Sequence, residues 1–239
     1  MTAQKIRKRI RQFATKEKAK VLQGFFKTGP GEYGEGDLFL GVVVPDIRRV
    51  AKEFQGAPLG EVMLLLNSGV HEERLLALLM LVREYAEGDG SRKKKIYSLY
   101  LKSTKYINNW DLVDLTAPNI VGAYLSDKSR RPLYTLARST DLWKRRIAVL
   151  ATFHFIRQND FKDALDISVM LLEDEHDLIH KAVGWMLREI GKRDLATEER
   201  FLKPRYRNMP RTMLRYAIER FPEDKRQNYL AGMVGAKAK

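Results

Sequence analysis

Apolar residues recur along this chain three and four positions apart and almost never in strict alternation, so the pattern predicts helices nearly throughout. Four segments share one form, a basic residue running into an apolar helix: HEERLLALLMLVREYA, LWKRRIAVLATFHFIR, LIHKAVGWMLREIGKR and MPRTMLRYAIERFP. The segment NNWDLVDLTAPNIVGAYL fits between the first and the second. With Arg74, Asp111, Arg146, Lys181 and Arg215 taken as equivalent points, the intervals are 37, 35, 35 and 34 residues. Second apolar periodic stretches lie between the marked helices, at 92–101, 131–137 and 161–172. Each unit therefore reads as a helical hairpin.

Stacked hairpins of this period form an all-α solenoid of the HEAT-like kind, in which corresponding helices line one concave surface. The β-like run LFLGVVVPDIRRVAKEF is interrupted at Pro45, and helical spacing resumes there, which predicts a loop entering a helix whose first turn carries Pro45 and Asp46. The preceding KTGPGEYGEGD must be a loop; it lacks the spacing of a phosphate-cradling P-loop and is read as an ordered connector. A single repeat domain over 1–239 is expected, with a basic N-terminal helix at 1–24, repeats over 25–225 and a C-terminal tail at 226–239.

Charge changes the picture more by its placement than by its total of +14. Residues 1–20 hold eight Lys or Arg against one acid, residues 181–239 hold fifteen against seven, and the middle has 21 basic and 22 acidic residues. Basic ends around a neutral centre suit a polyanion lying across the protein, since each cation near a phosphate releases condensed counterions. The equivalent points would then make a basic groove with Trp110 and Trp185 at its border. The longest apolar runs are far too short to span a bilayer, and the basic start is not followed by the apolar stretch of a secretory signal. The absence of cysteine removes disulfides and thiolate zinc sites and makes a cytoplasmic address the default expectation.

Candidate chemistry is sparse. His176 and His180 in HDLIH stand four residues apart, but the HExxH pattern is not met and an exposed helix turn accounts for them. Trp143 in LWKRRIAV reads as a core residue. No nucleophile elbow and no nucleotide fingerprint are present, so no metal or cofactor is expected. What remains is NNWDLVDLTAP, where Trp110 stands beside Asp111, with Asp114 three residues further on the same helical face. Locally this is also the start of a helix, with Asn109 or Asp111 as its cap.

Together FFKTGPGEYGEGDLFLGVVVPDIRRV, NNWDLVDLTAP, LWKRRIAVL and HKAVGWMLRE resemble the AlkD family of DNA alkylation repair glycosylases, over about 25 to 220. The resemblance implies excision of positively charged N3- and N7-alkylated purines, such as 3-methyladenine and 7-methylguanine, from double-stranded DNA. Lesion capture at the backbone would leave room for bulky adducts. It matches Trp110 and Trp185 to the two cleft tryptophans, Asp114 to the catalytic aspartate and Arg146 to the arginine that approaches the DNA backbone. Phe25 stands where characterised members carry a tyrosine, which removes a hydroxyl and keeps a ring face. Lys181, Arg188 and Arg215 are expected to add phosphate contacts, and the protein to act as a monomer. Two other readings compete: a non-catalytic HEAT-like protein that holds branched or damaged DNA, and a scaffold for an acidic protein.

Overall fold

In a computed structural model, residues 1–234 are described, and they contain helices but no β-strand beyond one isolated bridge between Leu38 and Val70. No helix among them is long and apolar enough to cross a membrane. They gather into two compact units, Met1–Thr116 and a second from Ala117 onward.

The first unit holds α1 (Ala3–Arg11), α2 (Lys16–Phe25), α3 (Val44–Glu53), α4 (Leu59–Leu66), α5 (His71–Glu87), α6 (Gly90–Lys102) and α7 (Trp110–Asp114). The basic segment expected as one helix over 1–24 is thus two, broken at 12–15. Val44–Glu53 begins with Pro45 and Asp46 in its first turn, as its sequence demands: proline loses no helical bond there, and the acid faces the positive helix end. Helix α5 is the axis of the unit. Every residue from His71 to Leu81 is buried, so a helix that is apolar on most sides packs against α3, α4, α6 and α7.

The second unit holds a π-helical turn (Pro118–Gly122), then α8 (Arg131–Ala137), α9 (Leu142–Ala151), α10 (Phe153–Ile156), α11 (Lys162–Met170), α12 (Asp177–Gly191), α13 (Leu195–Leu202), α14 (Arg211–Ala217) and α15 (Glu223–Leu230). Helices α6, α8 and α11 fall on the second apolar stretches read from the sequence, with 161–172 shortened to 162–170, and α5, α9, α12 and α14 fall on the marked segments. Residues 226–230, expected within a tail, continue α15, and 235–239 lie outside the described residues. Trp143 is buried, in keeping with its core reading, while Asp141 caps α9 through bonds from the Trp143 and Lys144 amides of 2.8 and 3.3 Å.

Two glycines fix close approaches. Gly41 has a φ of +81°, and a Cβ there would stand 2.1 Å from the Thr15 carbonyl oxygen, so the loop before α3 seats the start of α2. On α12, a Cβ at Gly184 would lie 2.4 Å from the Met213 carbonyl oxygen and 2.5 Å from Tyr216 Cβ, so α12 and α14 touch backbone to backbone. Gly184→Ala must push these helices apart, and we expect a loss of about 1–3 kcal/mol in urea denaturation. An unchanged midpoint would show that the contact is not tight.

Candidate functional site

The site in the first unit is built on α7, a single turn. Asn109 is its N-cap, its side chain accepting the Trp110 amide at 2.8 Å. Asp111 is not the cap: its Oδ1 accepts the Leu112 amide, and its Oδ2 lies 2.8 Å from Nε2 of His71. Four residues after Asp114, Pro118 has no N–H to continue the α-helical ladder, so α7 ends at once. Beneath the turn, the fully buried Tyr100 meets Thr116 at 2.9 Å, and Thr116 donates to the Leu112 carbonyl. Burial raises the Tyr100 pKa, the Thr116 bond opposes this, and the nearby Asp114 charge adds to the rise.

Trp110 and Asp114 are both half-buried. The indole stacks on Phe26, with centroids 5.1 Å apart and planes 17° apart, and meets the exposed Phe25 edge-on at 5.9 Å. Phe26 continues the column to Phe39 at 5.1 Å and to the His71 ring at 4.9 Å. Beneath lie Asp37, His71, Glu72, Glu73 and Arg74, all buried. Asp37 Oδ2 receives Arg74 at 2.7 Å and faces His71 Nδ1 at 3.2 Å. Burial alone would raise the Asp37 pKa; the His71 ring and the Arg74 guanidinium outweigh it and hold the carboxyl below its usual range. Glu72 takes the amides of Leu40, Gly41 and Val42 at 3.0, 2.8 and 3.2 Å, and Glu73 takes Arg7 and Arg11 of α1 at 2.8 and 3.3 Å.

This cluster was missed in the sequence. There HEER reads as the start of an apolar helix, with Arg74 marking the repeat. Four ionisable residues directly ahead of an unbroken apolar run carry a signal all the same. If the run is buried on all sides, the polar turn ahead of it is drawn in too and must find partners. Phe26, beside the expected Phe25, was missed as well.

In the second unit, Trp185 follows Gly184 on α12 and is half-buried. Its Nε1 donates to Glu189 at 3.1 Å, and Glu189 is itself held by Lys192 at 2.6 Å. Phe153 lies 5.9 Å away at 52°, with the Arg157 guanidinium 4.1 Å above its ring. Arg146, expected at a phosphate, is only 4% exposed, and its Nη1 donates to the Leu178 carbonyl at the start of α12. As placed, it clasps α9 to α12. Arg188 is turned toward Glu219 and Glu189. Lys181 is partly exposed and paired with Asp177 at 2.7 Å, and Arg215 is exposed. Of the four expected phosphate-facing cations, Lys181 and Arg215 are thus the accessible ones.

Two rival centres lose their interest on geometry. His176 caps α12, its Nδ1 accepting the Leu178 amide at 3.1 Å, and His180 rests on the Asp174 carbonyl. Among the described residues, no group of three or more acids and histidines is arranged to hold a metal ion. Glu198 has its pKa pushed up to about 9, by burial and then by Glu199 against the opposing Arg188. It is 1% exposed, and a Cβ at Gly191 would fall 1.6 Å from its Oε2. That is a packed acid out of reach of a substrate.

Comparison with known proteins bears on the fold and the family. A predicted DNA alkylation repair enzyme from Enterococcus faecalis superposes with a TM-score of 0.68 at 16% identity, over 88% of this chain and 97% of that one. AlkD2 from Streptococcus mutans superposes at 0.54 with 17% identity, over 91% and 96%. At these identities the two show a shared helical-repeat fold. No curated protein matches the chain. The sequence model of the DNA alkylation repair enzyme family matches residues 6–221, and the chain therefore belongs to that family.

Proposed function

We propose that this protein is a DNA glycosylase that excises positively charged N3- and N7-alkylated purines from duplex DNA. The observation that carries the reading is the pairing, on one helical turn, of a half-buried indole and a half-buried carboxylate beside the exposed ring of Phe25, in a member of a DNA alkylation repair family.

The chemistry follows from the lesion. An N3- or N7-alkylated purine is a cation that leaves as a neutral base, so its glycosidic bond needs little acid help. Positive charge grows on the deoxyribose as the bond breaks. A carboxylate fixed at Asp114 stabilises that charge and orients the attacking water. The indole face of Trp110 favours the cationic sugar by about 0.5–2 kcal/mol, according to how dry the contact is. The resemblance assigns Arg146 and Trp185 to the same reaction; the clasp on Leu178 leaves Arg146 the part of ordering α9 and α12 and lending its charge. No step calls for a metal or cofactor. In this reading the two units act as one domain, on DNA, as a monomer, in the cytoplasm. The competing reading, a non-catalytic holder of branched DNA, leaves the acid beside the indole without a task.

The direct test is single-turnover release of 7-methylguanine with saturating enzyme. Asp114→Asn keeps the shape and removes the charge, so release should slow by roughly a hundredfold or more while duplex affinity stays level or rises slightly. Wild-type rates in the variant would defeat the assignment. Lys181→Ala and Arg215→Ala should weaken binding to every duplex alike and flatten its salt dependence by about one unit per lost contact. An unchanged salt slope would remove both from the DNA face.

A further inference from the structure

His71 touches both the glycine-rich loop and the helix that bears Trp110 and Asp114. Its two ring nitrogens each face a carboxylate oxygen, Asp37 at 3.2 Å and Asp111 at 2.8 Å. Ionised carboxylates only accept hydrogen bonds, and a neutral imidazole has a single N–H, so a neutral ring satisfies one of the two; the imidazolium satisfies both. The ring also belongs to the aromatic column, stacked on Phe39 at 4.6 Å and 21° and tilted against Phe26 at 4.9 Å, with Phe26 stacked in turn on Trp110.

We propose that His71 is a positioning residue for the site: held as an imidazolium between Asp37 and Asp111, and packed into the Phe39, Phe26 and Trp110 column, it sets the seat of α7. The inference rests on the reading of Trp110 and Asp114 as the reacting side chains.

The charges around the ring are few and each has a place. The loop presents Asp37, and α7 presents Asp111. Helix α5 presents Arg74, which is bound to Asp37. The adjacent acids of α5 are engaged elsewhere, Glu72 with the Leu40 to Val42 amides and Glu73 with Arg7 and Arg11 of α1. Phe26 and Phe39 close the ring faces without charge. With His71 protonated, the ring and Arg74 balance Asp37 and Asp111; without the proton, one anion of this group is left in excess beneath α7. Burial by itself lowers the His71 pKa, but Asp111 and then Asp37 outweigh both burial and Arg74, and the net direction is upward from 6.5. A raised histidine stabilises the fold fully below its unfolded pKa, and that contribution is lost as pH rises through the folded value. Alkaline pH therefore loosens α7.

The test couples a spectroscopic readout to the reaction. Protein labelled with 5-fluorotryptophan is titrated from about pH 5.5 to 9.5, following the Trp110 fluorine resonance and the His71 Hε1 proton together. Both should move with one midpoint above 6.5. Asp111→Asn should carry both midpoints down together, and His71→Gln should abolish the Trp110 titration. Base release from a duplex carrying one 7-methylguanine should fall roughly tenfold or more across the same interval in the wild type, and stay flat there in His71→Gln. A Trp110 resonance indifferent to the His71 midpoint, or a ring that stays neutral throughout, in protein that circular dichroism shows to be folded, would overturn the inference. If Trp110 follows His71 in a protein that releases no base at any pH, the positioning stands and the glycosylase reading fails.

Discussion

The first turn of α5 carries four buried ionisable residues in a row, and most of what surrounds Trp110 depends on how they are neutralised. His71 and Arg74 meet Asp37; His71 also meets Asp111; Glu72 gathers three loop amides; Glu73 receives two arginines from α1. Each of these groups would cost several kcal/mol if left buried and alone. The pairings are consequently obligatory, and they join pieces of chain that have little else in common: a basic N-terminal helix, a glycine-rich loop and the single turn of α7. The apolar length of α5 draws its polar start inward, and the charges then dictate which segments come to meet it.

This arrangement explains how a loop and a one-turn helix can present reactive groups with definition. A five-residue helix has too few internal hydrogen bonds to stand alone. Here its N-cap is fixed by Asn109, its first acid by His71, its indole by the Phe26 stack and its end by Thr116 on Tyr100. Those four restraints hold the turn that carries Asp114. The two acids of NNWDLVDLTAP, equivalent in the sequence, thereby take opposite parts: Asp111 is spent on the interior, and Asp114 stays half-buried at the surface. In the second unit the same economy appears in simpler form, with Gly184 letting α12 and α14 touch and Glu189 holding the indole of Trp185.

The helical hairpins were legible because burial on one face imprints a period that survives any detail of packing; α8 matches its expected stretch at both ends. Pro45 and Asp46 were legible because helix starts have local rules. The break in the N-terminal helix was not, since α2 has no buried residue and its seat is set by a distant glycine, Gly41. The Asp37, His71, Asp111 and Arg74 cluster was not, because its members come from three segments and no local spacing relates them. The same holds for Arg146. Its sequence shows a cation on a helix face, and only the fold shows the Leu178 carbonyl that it meets.

The claim on which this account turns is that the buried His71 and Asp111 pair holds α7 in place. A double-mutant cycle of His71→Gln and Asp111→Asn, read by urea denaturation near pH 6, measures that pair alone. The account predicts a coupling of at least ~1 kcal/mol, with the double variant less damaged than the sum of the single ones. Additive losses, with a coupling within about 0.3 kcal/mol of zero, would contradict it.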